Sequence, residues 1–271
     1  LCMGGGRHRR RRRCLPPPMQ SDPSFGLRGR AVVDRNFEAG LGEVPRHGIT
    51  HDPKSNERYF FRHSQFLVVA RMNRRFRNAY YALRHGTSEA NERGIIVSHP
   101  EHGTTGWGLS VAGAADCRSS LSPERLREPK LTIERTLVVS SDFTRATETA
   151  AILCELHGLR PFAIDVGLRE RHFGDLEREP TNRYGEVWEH DMSGADQGHA
   201  GAESTESVAA RMLGVIERLE RENDDTAIIL VSHGDPLQIL ETVLADLPSH
   251  RHRERPHLGN AELRRLQGRV R

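Results

Sequence analysis

The chain has 271 residues, of which 36% are hydrophobic and 28% charged, enough apolar material for one large α/β domain or a medium domain with an appendage. No run reaches the 18 apolar residues that a membrane-crossing helix needs, so a soluble chain without a membrane partner is expected. Four scattered cysteines make no disulfide framework and have no zinc-ligand spacing, which predicts a reducing compartment and no metal site.

The net charge of +3 conceals a division. Residues 1–78 carry 17 Arg and Lys against 6 Asp and Glu, a surplus of 11, whereas residues 79–271 carry 23 against 31, a deficit of 8. Only Lys54 and Lys130 are lysines among the 40 basic residues, so the arginine bias is chain-wide, and the run Arg9–Arg13 is weak evidence for nucleic acid. No nucleic-acid partner is expected. Residues 1–60 show no sustained period and read as a basic leader, either an organelle transit peptide or a disordered tail, which leaves a cytoplasmic or an organellar location open. The folded domain is expected over 61–271, with Tyr59–Ala70 as a strand or short element packed on it.

From Ala79 the pattern is regular. Ala79–Leu83 reads as a strand and Ser110–Leu121 as a helix whose small residues Ala112, Ala114 and Ala115 face a close neighbour. Thr136–Val139 has the short apolar run of a buried parallel strand. Phe143–His157 reads as a helix with Ala146, Thr149, Ala150 and Leu153 on one face, ended by Gly158. Phe162–Val166 is expected as a third strand. Glu203–Glu222 carries Val208, Met212, Val215, Ile216 and Leu219 at helical intervals, Thr226–Val231 is the strongest strand, and Pro236–Leu244 returns as helix. Alternating strands and helices predict an α/β fold, three-layer and doubly wound on a mostly parallel sheet, with ligands at the carboxyl ends of the strands.

Those ends are where the chemistry concentrates. The first strand runs into Arg84, His85 and Gly86, then Thr87, Ser88, Glu89 and Asn91; the second is followed by Ser141, Asp142 and Arg145, the third by Arg169 and Glu170, and the fourth by Ser232, His233 and Gly234. Each charge alone would ordinarily be a solvated group, and each histidine a satisfied core residue. A parallel sheet, however, brings the four ends to one edge, and guanidinium forks, imidazoles and one carboxyl together suit a phosphate dianion. The triplet Arg46-His47-Gly48 repeats the first motif after Pro45 with no strand before it, and is expected to be a loop coincidence.

These residues resemble the histidine phosphatase superfamily, also called the phosphoglycerate mutase-like family. LRHGTSEAN at Leu83–Asn91 is similar to its signature, SDFTRATETA at Ser141–Ala150 to the stretch supplying a second arginine, LRERHFGDLE at Leu168–Glu177 to the proton-donor segment, and VSHG at Val231–Gly234 to its second histidine. LSVAG at Leu109–Gly113 and GAESTESVAAR at Gly201–Arg211 resemble two helix openings, while NERG and SHGDPLQ are similar to a plant and algal branch. Arg178 stands where a glycine is usual, and Ala202 where a second glycine often sits. The resemblance implies a phosphoglycerate mutase-like fold and a phosphomonoester hydrolase without metal or other cofactor, acting on a small phosphorylated molecule. It implies His85, Glu170 and His233 as catalytic residues, with Arg84, Asn91 and Arg145 holding the phosphate. Two alternatives stand beside it, a mutase-type phosphotransferase and a non-catalytic phosphate-binding or scaffold module. The 193 residues from Ala79 to Arg271 are compact for the family's glycolytic mutases, and no implied catalytic residue is missing, so hydrolysis is the expectation. Residues 175–202 are expected over the pocket, where Tyr184, Trp188 and Asp191 either face substrate or cap the sheet, capping being the expectation.

Overall fold

A computed structural model describes residues 76–126, 128–194 and 198–267. The leader, its boundary near residue 60, Tyr59–Ala70 and the triplet at Arg46–Gly48 lie outside the described residues.

Five strands form one sheet: β1 (Ala79–Arg84), β2 (Thr136–Ser140), β3 (Ala163–Ile164), β4 (Ala227–Ser232) and β5 (Leu263–Arg265). Their spatial order is β3-β2-β4-β1-β5, parallel except for β5, which runs antiparallel to β1. The helices are α1 (Glu89–Arg93), α2 (Pro100–Gly103), α3 (Val111–Ser120), α4 (Thr144–His157), α5 (Tyr184–Met192), α6 (Thr205–Glu222) and α7 (Gly234–Leu244). The run Ala227–Val231 of β4 is apolar at every position because both faces are covered. Ile228 and Leu230 pack on Val208, Met212 and Ile216 of α6 and on Leu237 and Leu240 of α7. Ile229 and Val231 point the other way, into Cys117 of α3, Leu121, and Ala146, Ala150 and Leu153 of α4. The result is the expected three-layer arrangement, and each fully buried Leu, Ile or Met in it contributes about 1.5–3 kcal/mol relative to exposure.

Local rules set the helix ends. Ser110 caps α3 by accepting from Gly113 N at 3.0 Å, and Ser204 caps α6 by accepting from Ser207 N at 3.1 Å. Gly158 ends α4 in the left-handed conformation, at φ 59°. Two expectations need correction, and one strand was not anticipated. The third strand is only Ala163–Ile164, because Asp165 turns the chain by capping a 3-10 turn over Val166–Leu168. On α3, Ala112 and Ala115 are exposed, and the close approach is made by Gly113, where a Cβ would collide with the Thr87 carbonyl. The antiparallel edge strand β5, of sequence Leu-Arg-Arg, has no apolar pattern to announce it; it is held by pairing Leu263 with Leu83 and Arg265 with Tyr81.

The register positions the site. Arg84 lies opposite Ser232 and Ser140 opposite Val231, so β1, β2 and β4 end level with one another. His85, Ser141 and His233 therefore leave the sheet at one edge.

Candidate active site

His85 is almost fully buried, at 2% exposure, and its backbone is locked by donation to Ser232 O at 3.0 Å and by acceptance from Asn260 Nδ2 at 3.1 Å. Its Nδ1 lies 2.7 Å from the carbonyl of Gly86, which can only accept, so the ring hydrogen sits on Nδ1 and the lone pair on Nε2. That lone pair receives a hydrogen bond from Arg145 Nε at 3.1 Å. Burial, followed by the charges of Arg145 and Arg84, holds the imidazole far below its usual pKa and keeps it neutral.

Arg145 enters from the first turn of α4 and spends Nη2 on the carbonyl of Val97 at 3.0 Å. Arg84 directs Nη1 to Leu258 O at 2.9 Å and to His257 Nε2 at 2.6 Å. Burial works against the charge of both guanidinium groups, and the negative charge of Glu170 works for it. Arg84 Nε and Arg145 Nη1 are buried with no acceptor among the described residues, which leaves two cationic donors unsatisfied beside His85. Asn91 lies on the same cleft; its Oδ1 accepts from Ser88 N and Ser88 Oγ, both at 3.0 Å, in the capping box that starts α1, which leaves Nδ2 unspent.

Glu170 closes the group from the third strand end, with Oε2 at 3.7 Å from Arg145 Nη2 and 3.8 Å from His233 Nδ1. Its Oε1 accepts from Arg171 N at 2.9 Å. Burial pushes the carboxyl up to about 7 against the opposing pull of Arg145, with the negative charge of Asp235 adding to the rise. His233 is fully buried and stands behind this group, its ring 5.1 Å from that of His85. Ser141 Oγ accepts from Phe143 N at 3.3 Å, so its own proton is free for His233 Nε2 at 3.0 Å, which leaves a hydrogen on Nδ1 facing Glu170.

These groups surround a cleft of about 550 Å³, measured to its open mouth. Arg84, His85, Asn91, Arg145 and Glu170 line it, while His233 adjoins it through Glu170 and His85. Of the three residues read as facing substrate or capping the sheet, Tyr184 and Trp188 are on the wall, stacked at 5.2 Å, and Asp191 is turned inward onto Arg171. Sequence reasoning missed Asp235, Arg253 and His257, which also line the cleft. Asp235 stands two residues past His233 and was within reach of the strand-end argument; Arg253 and His257 come from an irregular segment with no period to mark them. Among the described residues no group of His, Cys, Asp or Glu has the arrangement of a metal site.

Such a cleft offers a neutral imidazole whose Nε2 lone pair is held by Arg145, two guanidinium donors for a dianion, and a carboxyl that burial pushes up to about 7. Residues 80–269 match the histidine phosphatase superfamily (branch 1). The chain belongs to that superfamily. A glucosyl-3-phosphoglycerate phosphatase of Mycolicibacterium vanbaalenii is 29% identical over 205 residues, covering 70% of this chain and 84% of that protein. A probable phosphoglycerate mutase of Yersinia pestis is 30% identical over 178 residues, covering 61% of this chain and 81% of that protein. Among solved structures, a mycobacterial glucosyl-3-phosphoglycerate phosphatase complexed with VO3 superposes with a TM-score of 0.57 at 27% identity, over 68% of this chain and 90% of that one. The fold is thus the phosphoglycerate mutase-like fold, and this histidine phosphatase is an enzyme of phosphoryl transfer. The departure at Arg178 has a physical face: Arg178 adopts φ 66°, the left-handed region that glycine enters without strain, and is held there by donation to Ile96 O at 2.8 Å.

Proposed function

We propose that this histidine phosphatase hydrolyses a small phosphomonoester through a phosphohistidine on His85, without a metal ion. The observation that carries the reading is the fixed tautomer of His85, whose Nε2 lone pair lies among unsatisfied cationic donors in the cleft that Glu170 also lines, its carboxyl pushed up to about 7 by burial.

The dianion binds Arg84, Arg145 and the Asn91 carboxamide, and draws Arg145 off the imidazole. The Nε2 lone pair then forms the N–P bond in line as the bond from phosphorus to the ester oxygen breaks. The departing oxygen takes the proton of Glu170. Charge on the equatorial oxygens is met by guanidinium groups fixed before the reaction, and the His233 Nδ1 hydrogen supports the Glu170 carboxylate as it forms. In the second half, water gives its proton to that carboxylate and its oxygen to phosphorus, the N–P bond breaks, and phosphate leaves with the enzyme restored. The guanidinium groups of buried Arg145 and part-buried Arg84 do the charge neutralisation that a divalent cation does elsewhere. The mycobacterial phosphatase and the Yersinia probable mutase support a small phosphorylated molecule as substrate.

The test is a panel of phosphomonoesters assayed with EDTA, coupled to acid-quench and neutral-quench trapping. Activity with EDTA and a label that is acid-labile, alkali-stable and absent from His85→Ala is the expected result. A label on another residue, or full turnover in His85→Ala, overturns the assignment. Release of free phosphate rather than an isomeric phosphoester separates hydrolysis from mutase action.

A further inference from the structure

Beneath the cleft lies a buried charge cluster that the steps above do not use. Arg171, immediately after Glu170, is completely buried, and its guanidinium pairs bidentately with Asp191 of α5 at 2.6 and 2.8 Å, donates to Glu203 O at 2.7 Å and reaches Asp235 Oδ2 at 3.4 Å. Asp235, in the first turn of α7, accepts the Trp188 indole N–H at 3.0 and 3.2 Å. His252 Nε2 and Arg253 Nη1 each lie 3.8 Å from it, beyond hydrogen-bond reach. Arg253 lies over the outer face of this assembly, 3.8 Å above the Trp188 ring, and donates to Gln238 Oε1 at 2.7 Å.

Two properties follow. The cluster is a mechanical link, because the N–H of the anchored Arg171 is the group that orients Glu170 Oε1, while Asp235 pins the tryptophan of the cleft wall. It is also electrically unbalanced: two buried carboxylates share one buried guanidinium, and the remaining negative charge is met only loosely, by the quarter-exposed Arg253 and, when protonated, by His252, whose own pKa burial lowers. Burial alone would push the Asp235 carboxyl up, but His252, Arg171 and the indole N–H hold it below the ordinary range, so it stays ionised.

We propose that Asp235 is a positioning residue for the proton-donor step: it shares the guanidinium of Arg171, whose backbone N–H holds Glu170 Oε1, and its hydrogen bond from the indole ties that donor segment to the Trp188 wall. The proposal rests on Glu170 as the donor. The groups facing Glu170 are Arg84 from β1, Arg145 from α4, His233 from the end of β4, Tyr184 from α5 and Asp235 from α7. Arg84 and Arg145 favour the carboxylate and Asp235 opposes it, so only removal of Asp235 should ease ionisation of Glu170.

The experiment compares the wild type with Asp235→Asn, Asp235→Glu, Trp188→Phe and Arg253→Gln, reading kcat/KM against pH for an alkyl and an aryl phosphate, with thermal melting as a check on folding. Asp235→Asn keeps an acceptor for the indole and loses the charge. Its basic limb is expected to move about one unit towards acid, with alkyl turnover falling at least tenfold more than aryl turnover. Asp235→Glu should restore both. Trp188→Phe should raise KM and leave the limb in place, whereas Arg253→Gln, which removes a cation beside Asp235, should move the limb towards base. A folded Asp235→Asn with an unmoved limb, or with equal loss on both substrates, overturns the proposal. Should that variant not fold, an unmoved limb in Arg253→Gln overturns it instead. Absence of a phosphoenzyme in the wild type is a different failure, that of the reading of His85 itself.

Discussion

Gly86 offers a measurable test of how tightly the reactive turn is built. It follows His85, donates its N–H to Thr149 Oγ1 at 3.0 Å, and packs flat against α3. A Cβ on this residue would drive into Cys117 Sγ, lie 3.1 Å from Leu109 Cδ2 and reach 3.4 Å from Gly113 O. Against the ordinary contact range of about 3.5–4.0 Å, the overlap with the sulfur is roughly 1.5 Å. Neither partner yields freely: Cys117 is fully buried, and the turn is pinned by the backbone bonds of His85 to Ser232 and Ala261. Gly86→Ala is therefore expected to cost about 1–3 kcal/mol, as overpacked cores do, and to lower the melting temperature by roughly 2–10 °C. A displacement of the imidazole by about 1 Å should reduce kcat/KM on the order of 10²-fold. Cys117→Ala removes the colliding sulfur, so the double variant should regain most of both losses, with a coupling free energy of about 1–2 kcal/mol between the sites. Differential scanning calorimetry and steady-state assays on the two single variants and the double complete the cycle. Unchanged activity in Gly86→Ala, or additive losses in the double variant, would refute this account of the turn.

Glu170→Gln should reduce turnover of alkyl phosphates by a factor on the order of 10² to 10⁴, spare phosphoenzyme formation from a nitrophenyl phosphate, and accumulate the phosphoenzyme, all visible by quench-flow. The same variant has a stability signature. Because folding raises the Glu170 carboxyl to about 7, the folded state binds this proton more tightly than the unfolded chain, and its contribution is present at low pH and lost as pH rises through 7. Denaturant titrations should find Glu170→Gln gaining on the wild type between pH 5 and pH 8, by up to about 3 kcal/mol, and a constant difference would contradict the burial argument. Arg178→Gly should be tolerated or stabilising by up to about 1 kcal/mol, since the backbone there already has φ 66°; a drop in melting temperature would mean that the arginine side chain matters more than its conformation. His47→Ala, in the triplet that repeats the reactive motif, should leave kcat and KM unchanged, and a loss comparable to that of His85→Ala would undo the strand-end reasoning.

Residues fixed by strand ends were the ones that could be read in advance. His85, Arg145, Glu170 and His233 each follow a strand or open a helix, and the parallel pairing of β1, β4, β2 and β3 carries those strand ends to one edge. Asn91 was readable as part of the polar turn after the first strand, its role implied by the resemblance of Leu83–Asn91 to the family signature, and the structure adds that it closes a capping box with Ser88. Asp235, two residues past His233 in the first turn of α7, was open to the same reasoning and was passed over, whereas Arg253 and His257 were not readable, because an irregular segment's path depends on which distant groups it satisfies. The opposite fates of Trp188 and Asp191 make the point: they lie three positions apart on α5, yet one reaches the cleft and the other is drawn inward by Arg171, whose burial no local pattern announces. The three residues of β5 and the two of β3 are likewise too short for periodicity to register.

The hydrogen bond from Arg145 to His85 has a further consequence for reactivity. The nucleophile's lone pair is engaged by the same cation that an incoming dianion must recruit, so exposing the one and binding the other are a single event. A neutral electrophile has nothing to offer the guanidinium and meets an imidazole already engaged, at a cost of about 1.5–3 kcal/mol to free it. The cleft thus sorts its visitors by charge before it sorts them by shape, and an acylating reagent should find His85 markedly less reactive than its low basicity and position on the wall would suggest.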